Sequence, residues 1–215
     1  MTYPEFLRYI SAPHLGWALL LIAAIGDALI PLFLGLFVQR YSHLYEPMSA
    51  LGASFSPVRG VYRTWLVFAG FCFLAAAPQV YYAFAAVSES LSMALAVCIG
   101  VYGAGACIAA GIFPAEDSHP ATPGEWIHGI GSAAGFIALI ASALLLAILQ
   151  FRAGSAGEGA VSVTGFCTSA VYFVLFVLSD KDRFLGTAVS WTGLWQRLSM
   201  VCAYIPLVWT AAIYV

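Results

Sequence analysis

The sequence predicts an all-α, polytopic membrane helix bundle with about six transmembrane helices. The first reason is composition: of the 215 residues, 62% are hydrophobic and only 8% are charged, whereas a soluble domain carries about 25% charged residues. So few charged side chains cannot cover a water-facing surface. The net charge of −2 also excludes a nucleic-acid-binding protein, because such proteins rely on basic residues that neutralise phosphates.

The second reason is the number of long apolar runs. Six stretches reach the roughly 20 mostly apolar residues that a spanning helix requires. They cover about residues 15–38, 62–86, 91–113, 126–151, 161–178 and 194–215. We expect helices, because the bilayer interior offers no partner to an unpaired backbone amide. The runs are also continuous, unlike the alternating segments of a β-barrel. The whole chain, 1–215, is therefore expected to form a single transmembrane domain.

The polar residues gather in three loops, 39–61, 114–125 and 179–193, which join helix 1 to 2, 3 to 4 and 5 to 6. Because successive helices alternate in direction, these loops are expected to share one face of the membrane. That face carries most of the lysines and arginines, so the positive-inside rule predicts that it is cytoplasmic. Helix 3 and the start of helix 4 are rich in glycine and alanine, which predicts that these two helices pack closely together.

Asp27 lies near the middle of the first apolar run. A carboxylate at the bilayer centre costs roughly 2.5–3.5 kcal/mol, so it is expected to face the bundle interior and to have a partner. Pro31 follows four residues later and leaves the carbonyl of Asp27 without its helical hydrogen bond. Asp27 is a candidate proton carrier, cation ligand or acid catalyst; the alternative is a protonated or hydrogen-bonded aspartate that only locks helix packing.

The loop between helices 3 and 4 holds Glu116, Asp117 and His119, and the fourth helix then brings His128. These side chains are candidate acid–base groups or ligands of a divalent metal. The metal hypothesis concerns Asp117, His119 and His128, although the nine-residue interval between the histidines fits no common zinc motif. Glu116 and Asp117 have a second interpretation as solvated loop residues, and His128 as a hydrogen-bonded interfacial histidine. Glu125 is expected to form a helix-capping box.

The other two long loops supply Ser49, His43 and Arg197. Ser49 is a candidate nucleophile or ligand contact, although no Gly-x-Ser-x-Gly elbow surrounds it, and a packing serine is the alternative. His43 is a candidate ligand-binding residue. Arg197, at the start of the last helix, is expected to bind a lipid phosphate or to pair with Glu116 or Asp117. The alternative is an arginine whose side chain extends to the membrane surface.

Three short motifs resemble the signatures of a bacterial and archaeal family called domain of unknown function 998. They are Met48–Ala53 with Ser56 and Pro57, Gly111–Pro114 with Asp117 and then His128, and Gly193–Leu198. In the third motif Gln196 stands where the family often has an acidic residue. The resemblance implies a six-helix bundle distantly similar to the Frag-and-DRAM-like membrane proteins, in a prokaryotic cytoplasmic membrane. It implies no established activity.

Three functions remain open at this point. The first is an intramembrane enzyme that acts on a lipid or isoprenoid, with Asp117, His128, Ser49 and Asp27 as catalytic candidates. The second is a lipid-binding or regulatory subunit that contacts membrane lipids or a membrane-protein partner. The third is a small proton-coupled transporter centred on Asp27.

Overall fold

The computed structural model describes residues 14–116 and 120–215 of the chain. Six helices dominate this part of the protein, and each is long and apolar enough to cross a membrane. They are α1 (Leu15–Gly35), α2 (Arg59–Phe84), α3 (Glu89–Ile112), α4 (Pro123–Arg152), α5 (Ala156–Leu178) and α6 (Thr192–Tyr214). The described residues contain no strand. The predicted all-α class is confirmed, and the helix ends lie within a few residues of the predicted ones.

The helices form a closed bundle in which each helix packs against its neighbours in sequence and α6 packs back against α1. A buried apolar core runs through the centre, and large apolar side chains such as Phe33, Phe71 and Val171 remain exposed on the outside. In water such a surface would be unfavourable, whereas lipid chains cover it without cost. The protein is therefore an integral membrane protein.

Helices α3 and α4 approach each other through glycine, as the sequence predicts. A Cβ atom on Gly105 would lie 2.5 Å from the carbonyl oxygen of Gly131, and one on Gly135 would lie 2.6 Å from the Cβ of Ala106. The opposite side of α3 meets α2 in the same way, since a Cβ on Gly103 would lie 2.8 Å from the carbonyl oxygen of Gly70. Backbone-to-backbone contact on both sides holds α3 in the middle of the bundle.

The middle of α3 departs from α-helical geometry. Residues Tyr102–Ala109 form a π-helical segment between two α-helical parts. Such widened turns are rare and are frequently found at functional sites. Here the segment begins at Tyr102, whose fully buried ring lies at the centre of the bundle.

The long-loop end of the bundle is assembled from short elements. A 3₁₀ turn, Met48–Gly52, lies in the α1–α2 loop (residues 36–58), and two more, Asp182–Phe184 and Ala188–Ser190, lie in the α5–α6 loop (residues 179–191). Helix α4 begins with the expected capping box, in which Thr122 and Glu125 bond each other's backbone amides. The α3–α4 loop covers residues 113–122.

The substitution Gly105→Ala tests the close packing of α3 and α4. The new methyl group would collide with the backbone of Gly131, so we expect a loss of roughly 1–3 kcal/mol of stability and a lower melting temperature in detergent. Gly157→Ala is the matched control, because nothing lies within 4 Å of its Cβ position. Equal melting temperatures for the two variants would contradict the packing described here.

Candidate functional site

A cavity of about 290 Å³ lies inside the bundle, between its centre and the three long loops. Its walls are mostly apolar and include Leu66, Phe136, Phe173 and Met200. A smaller set of polar side chains also lines it: Asp27, Ser49, Tyr62, Tyr102, His128, Ser132 and Gln196. Mostly apolar walls with a few polar groups are the usual composition of a ligand-binding pocket.

Asp27 marks the inner end of this cavity and is almost completely buried, with 1% of its surface exposed. The hydroxyl groups of Tyr102 on α3 and Tyr204 on α6 both donate to its Oδ2 atom, at 2.8 Å and 2.6 Å. The two hydroxyls also contact each other. The carboxyl group thus joins α1, α3 and α6, and it has the internal partner that the sequence predicts for a buried aspartate.

The second carboxyl oxygen of Asp27 has no such partner. Its Oδ1 atom is buried and accepts no hydrogen bond from any described residue. The indole N–H of Trp65 is a buried donor close to the carboxyl group, and it has no other hydrogen-bond partner among the described residues. Because an unmatched buried acceptor is costly, a ligand that donates a hydrogen bond to Oδ1 would be stabilised there.

His128 reaches the same cavity from α4. Its Nδ1 atom lies 2.8 Å from the carbonyl oxygen of Phe113, and a carbonyl only accepts, so Nδ1 carries the proton and donates. In the neutral ring Nε2 is then an acceptor, and it has no hydrogen-bond partner among the described residues. The imidazole is thereby oriented with one basic nitrogen free, which is the arrangement required of a general base or a metal ligand.

The 3₁₀ turn of the α1–α2 loop forms the roof of the cavity. Ser49 lies on this turn and lines the cavity, and its hydroxyl has no hydrogen-bond partner among the described residues. The turn is attached to α6, since the N–H of Met48 donates to Oε1 of Gln196 at 2.7 Å. Gln196, which stands where the family often has an acidic residue, therefore accepts a backbone hydrogen bond from the 3₁₀ turn.

The cavity opens sideways between α4 and α5. Only three of the residues that line it are exposed, Gly129 and Ala133 on α4 and Val177 on α5. Gly129 lies six residues, or about 9 Å, beyond the start of α4, inside the membrane-spanning length. No atom lies within 4 Å of the position that a Cβ of Gly129 would occupy. The opening therefore lies on the outer surface of two helices that are long and apolar enough to span a membrane.

Arg197 does not line this cavity, and it holds the α1–α2 loop in place. Its Nη1 atom donates to the carbonyl oxygens of His43, Glu46 and Gly193 at 2.8–3.1 Å, and its Nη2 atom donates to the Tyr41 hydroxyl at 2.5 Å. The side chain is 9% exposed. Among the described residues Arg197 contacts neutral acceptors, so it serves as a structural clamp for the loop.

The clamp depends on the glycine of the same motif. A Cβ on Gly193 would lie 2.3 Å from the carbonyl oxygen of Glu46 and 2.6 Å from that of His43. Only glycine allows the loop to lie this close to the start of α6. Gly193, Gln196 and Arg197 thus act together to attach the α1–α2 loop to the bundle.

Glu116 attaches the α1–α2 loop to the α3–α4 loop. Its carboxylate oxygens accept hydrogen bonds from the N–H and the hydroxyl group of Ser54, both at 2.9 Å. Arg63 on α2 completes this junction by donating to the carbonyl oxygens of Gly111 and Ile112, at 2.8 Å and 2.6 Å. The α1–α2 and α3–α4 loops therefore meet at the same end of the bundle, as their predicted common face requires.

Asp117 and His119 lie outside the described residues, so their predicted roles stay predictions. Within the described ranges no three His, Cys, Asp or Glu side chains come close enough to hold a metal ion. The predicted divalent-metal site, which requires Asp117 or His119 together with His128, is therefore untested.

His43 lies in the α1–α2 loop next to Arg197 and does not line the cavity. Its ring packs edge-on against Tyr41, with 5.2 Å between centroids, and its Nδ1 atom is buried without a partner. Burial lowers the pKa of His43, and the nearby Arg197 guanidinium lowers it further. Burial also raises the pKa of Tyr41, while Arg197 opposes that change. Both side chains are therefore held neutral in the folded loop.

Two site residues, Tyr102 and Tyr204, were not predicted from the sequence. Each lies inside an apolar run, where tyrosine is common and carries no periodic signal. A hint was available, because a buried aspartate requires donors and both tyrosines lie near the middle of a predicted helix. Their pairing with Asp27 depends on how α3 and α6 rotate, which the sequence pattern does not specify.

The fold and the cavity define a class: an all-helical integral membrane protein with a mostly apolar internal cavity that a few polar side chains also line. The chain belongs to the family described as protein of unknown function (DUF998), whose model matches residues 17–213. This confirms the resemblance seen in the three motifs. Comparisons with curated proteins and with solved structures find no match.

The lowered pKa of His43 predicts a pH-dependent stability. In the unfolded chain this ring takes up a proton near pH 6.5, whereas the folded loop favours the neutral form. The folded state should therefore lose stability as the pH falls below about 6.5. We expect the melting temperature in detergent to drop between about pH 7.5 and pH 5.5. His43→Gln should reduce this drop; an unchanged pH profile in His43→Gln would contradict the assignment.

Proposed function

We propose that the protein binds an amphipathic, lipid-like molecule that enters the cavity from the bilayer between α4 and α5. The observation that carries this proposal is the position of the opening, since its exposed residues Gly129, Ala133 and Val177 all lie on membrane-spanning helices. A ligand dissolved in the bilayer reaches such an opening without crossing water. The polar group at the inner end, Asp27, would meet the polar end of the molecule.

The size of the cavity supports a ligand that is only partly enclosed. Pockets that bury a whole drug-sized molecule measure about 300–1,000 Å³, and this cavity, at about 290 Å³, lies at the lower limit. It holds a polar end and the first carbons of a chain. The remainder of a longer chain would leave between α4 and α5 and lie against the exposed apolar surface of these helices.

We place the protein in a prokaryotic cytoplasmic membrane with the three long loops in the cytoplasm. Support comes from the excess of lysine and arginine on that face, where Arg40, Arg59 and Lys181 lie. Arg63 and Arg197 are less informative, because Arg63 bonds the end of α3 and Arg197 bonds carbonyl oxygens of the α1–α2 loop.

Closing the opening tests the proposed binding. Gly129→Trp places an indole in the open space at the entrance, so we expect the variant to lose lipid that copurifies with the wild-type protein, as measured by mass spectrometry. Gly157→Trp is the matched control, because it places the same side chain on an exposed part of α5 away from the cavity. Equal lipid content in both variants and the wild type would show that lipid does not enter the cavity between α4 and α5.

A second candidate function is an intramembrane enzyme that acts on a lipid or isoprenoid by acid–base chemistry. It is favoured by the free Nε2 atom of His128 and the free Oδ1 atom of Asp27, which belong to two titratable groups lining one cavity. Such a pair can transfer protons to and from a bound molecule. Ser49 lines the same cavity and remains a candidate contact for the reacting group.

The enzyme hypothesis predicts a chemical change that depends on both groups. Incubation of a total membrane-lipid extract with the purified protein should produce new species by mass spectrometry. Asp27→Asn and His128→Gln should each reduce their formation by about 100-fold or more, the usual contribution of an acid–base group. An unchanged lipid profile with wild-type protein would leave binding alone as the function.

Transport centred on Asp27 is less well supported. A proton-coupled carrier needs a polar route from this residue to both faces of the membrane. On α1, the buried residues one to two turns below Asp27 are Leu20, Ala23 and Ala24, all apolar and at most 1% exposed. This apolar layer favours a cavity that is closed on the side away from the long loops. A binding protein or an enzyme can function with such a cavity, whereas a carrier cannot.

A further inference from the structure

The ionisable groups that line the cavity present hydrogen-bond acceptors to a ligand. Among the described residues that line it, the only ionisable carboxyl and imidazole groups are those of Asp27 and His128, and none is a lysine or arginine. In the carboxylate form of Asp27 and the neutral ring of His128, the free atoms Oδ1 and Nε2 both accept hydrogen bonds. The neutral hydroxyls of Ser49 and Tyr62 adapt to either role, because a hydroxyl both donates and accepts.

Arg197 does not line this cavity, although it borders a smaller pocket that also reaches Asp27. Two of the three guanidinium nitrogens of Arg197 are used by backbone carbonyls and the Tyr41 hydroxyl, and the third, Nε, is buried without a partner. A phosphate bound at the two Nη atoms would compete with these contacts to the α1–α2 loop. The sequence-based expectation that Arg197 binds a lipid phosphate is therefore not favoured by these contacts.

We infer that the polar end of the ligand carries an N–H or O–H donor, as an ammonium or hydroxyl group does, which binds the Asp27 carboxyl group. This inference rests on the proposed function and narrows its ligand class to long-chain amines or alcohols. A phosphate ester at neutral pH is an acceptor, and it would face the two acceptor atoms without a cation to balance its charge. An ammonium or hydroxyl group supplies the donor that Oδ1 lacks.

The position of Asp27 fits such a ligand geometrically. Asp27 lies eight residues, or about 12 Å, from the loop end of α1, and the entrance residues Gly129 and Ala133 lie about 9 and 15 Å from the start of α4. The carboxyl group is therefore at the same depth as the entrance. A chain could enter from the bilayer at this level with its donor group leading, and Phe136 and Phe173 would contact the first carbons.

The test compares three probes that share one saturated twelve-carbon chain: dodecylamine, dodecanol and dodecyl phosphate. Binding to the full-length protein in detergent at about pH 7.5 is measured by native mass spectrometry and by the change in melting temperature. We expect the amine or the alcohol to bind and to raise the melting temperature, and the phosphate to bind at least about tenfold more weakly. Comparable or tighter binding of the phosphate overturns the inference, as does the absence of binding by both donor probes.

Two variants separate this inference from the proposed function. Asp27→Asn should weaken binding of the amine at least about tenfold, and an unchanged affinity in a folded variant would overturn the role of Asp27. If Asp27→Asn fails to fold, the wild-type comparison of probes still decides. Gly129→Trp should block whichever probe binds in the cavity. If dodecyl phosphate binds the wild type and Gly129→Trp blocks that binding, the donor inference alone is refuted. If Gly129→Trp leaves the binding of the probes unchanged, the proposed function is refuted.

Discussion

The structure depends most on the requirement that a carboxyl group inside the bilayer must find its partners within the protein. Water cannot supply hydrogen bonds at the depth of Asp27, so donors have to come from other helices. Tyr102 and Tyr204 supply them and, by doing so, define how α3 and α6 turn towards α1. The π-helical segment that begins at Tyr102 belongs to the same arrangement. One carboxyl oxygen is satisfied in this way, and the other accepts no hydrogen bond from any described residue.

The three motifs shared with the family build the end of the bundle that encloses the cavity. The first motif forms the 3₁₀ turn that roofs it. The second ends α3, where the carbonyl oxygen of Gly111 receives Arg63 and that of Phe113 receives His128. The third attaches the roof through Gln196 and Arg197. The motifs thus position a loop over the cavity, and only some of their residues line it.

Much of the fold was predictable from the sequence, because six long apolar runs and a low charge content leave few alternatives. The closeness of α3 and α4 was also predictable, since small residues such as Gly105 and Gly131 have little other use in a membrane helix. The site was predictable only in part. Asp27, Ser49 and His128 stand out as polar residues in apolar surroundings and do line the cavity. Which helix faces meet depends on rotation about each helix axis, and hydrophobic periodicity is weak where all sides are apolar. The role of Arg197 depends on loop carbonyls, which no side-chain pattern reveals.

The central claim is that a lipid-like molecule occupies the cavity from the bilayer with its polar end at Asp27. An experimental structure of the protein in a native-lipid nanodisc tests this most directly. We expect continuous density that begins beside the Asp27 carboxyl group, passes between Gly129 and Val177, and continues along the outer surfaces of α4 and α5. A cavity that contains only ordered water, or that is closed between α4 and α5 in the bilayer, would contradict it.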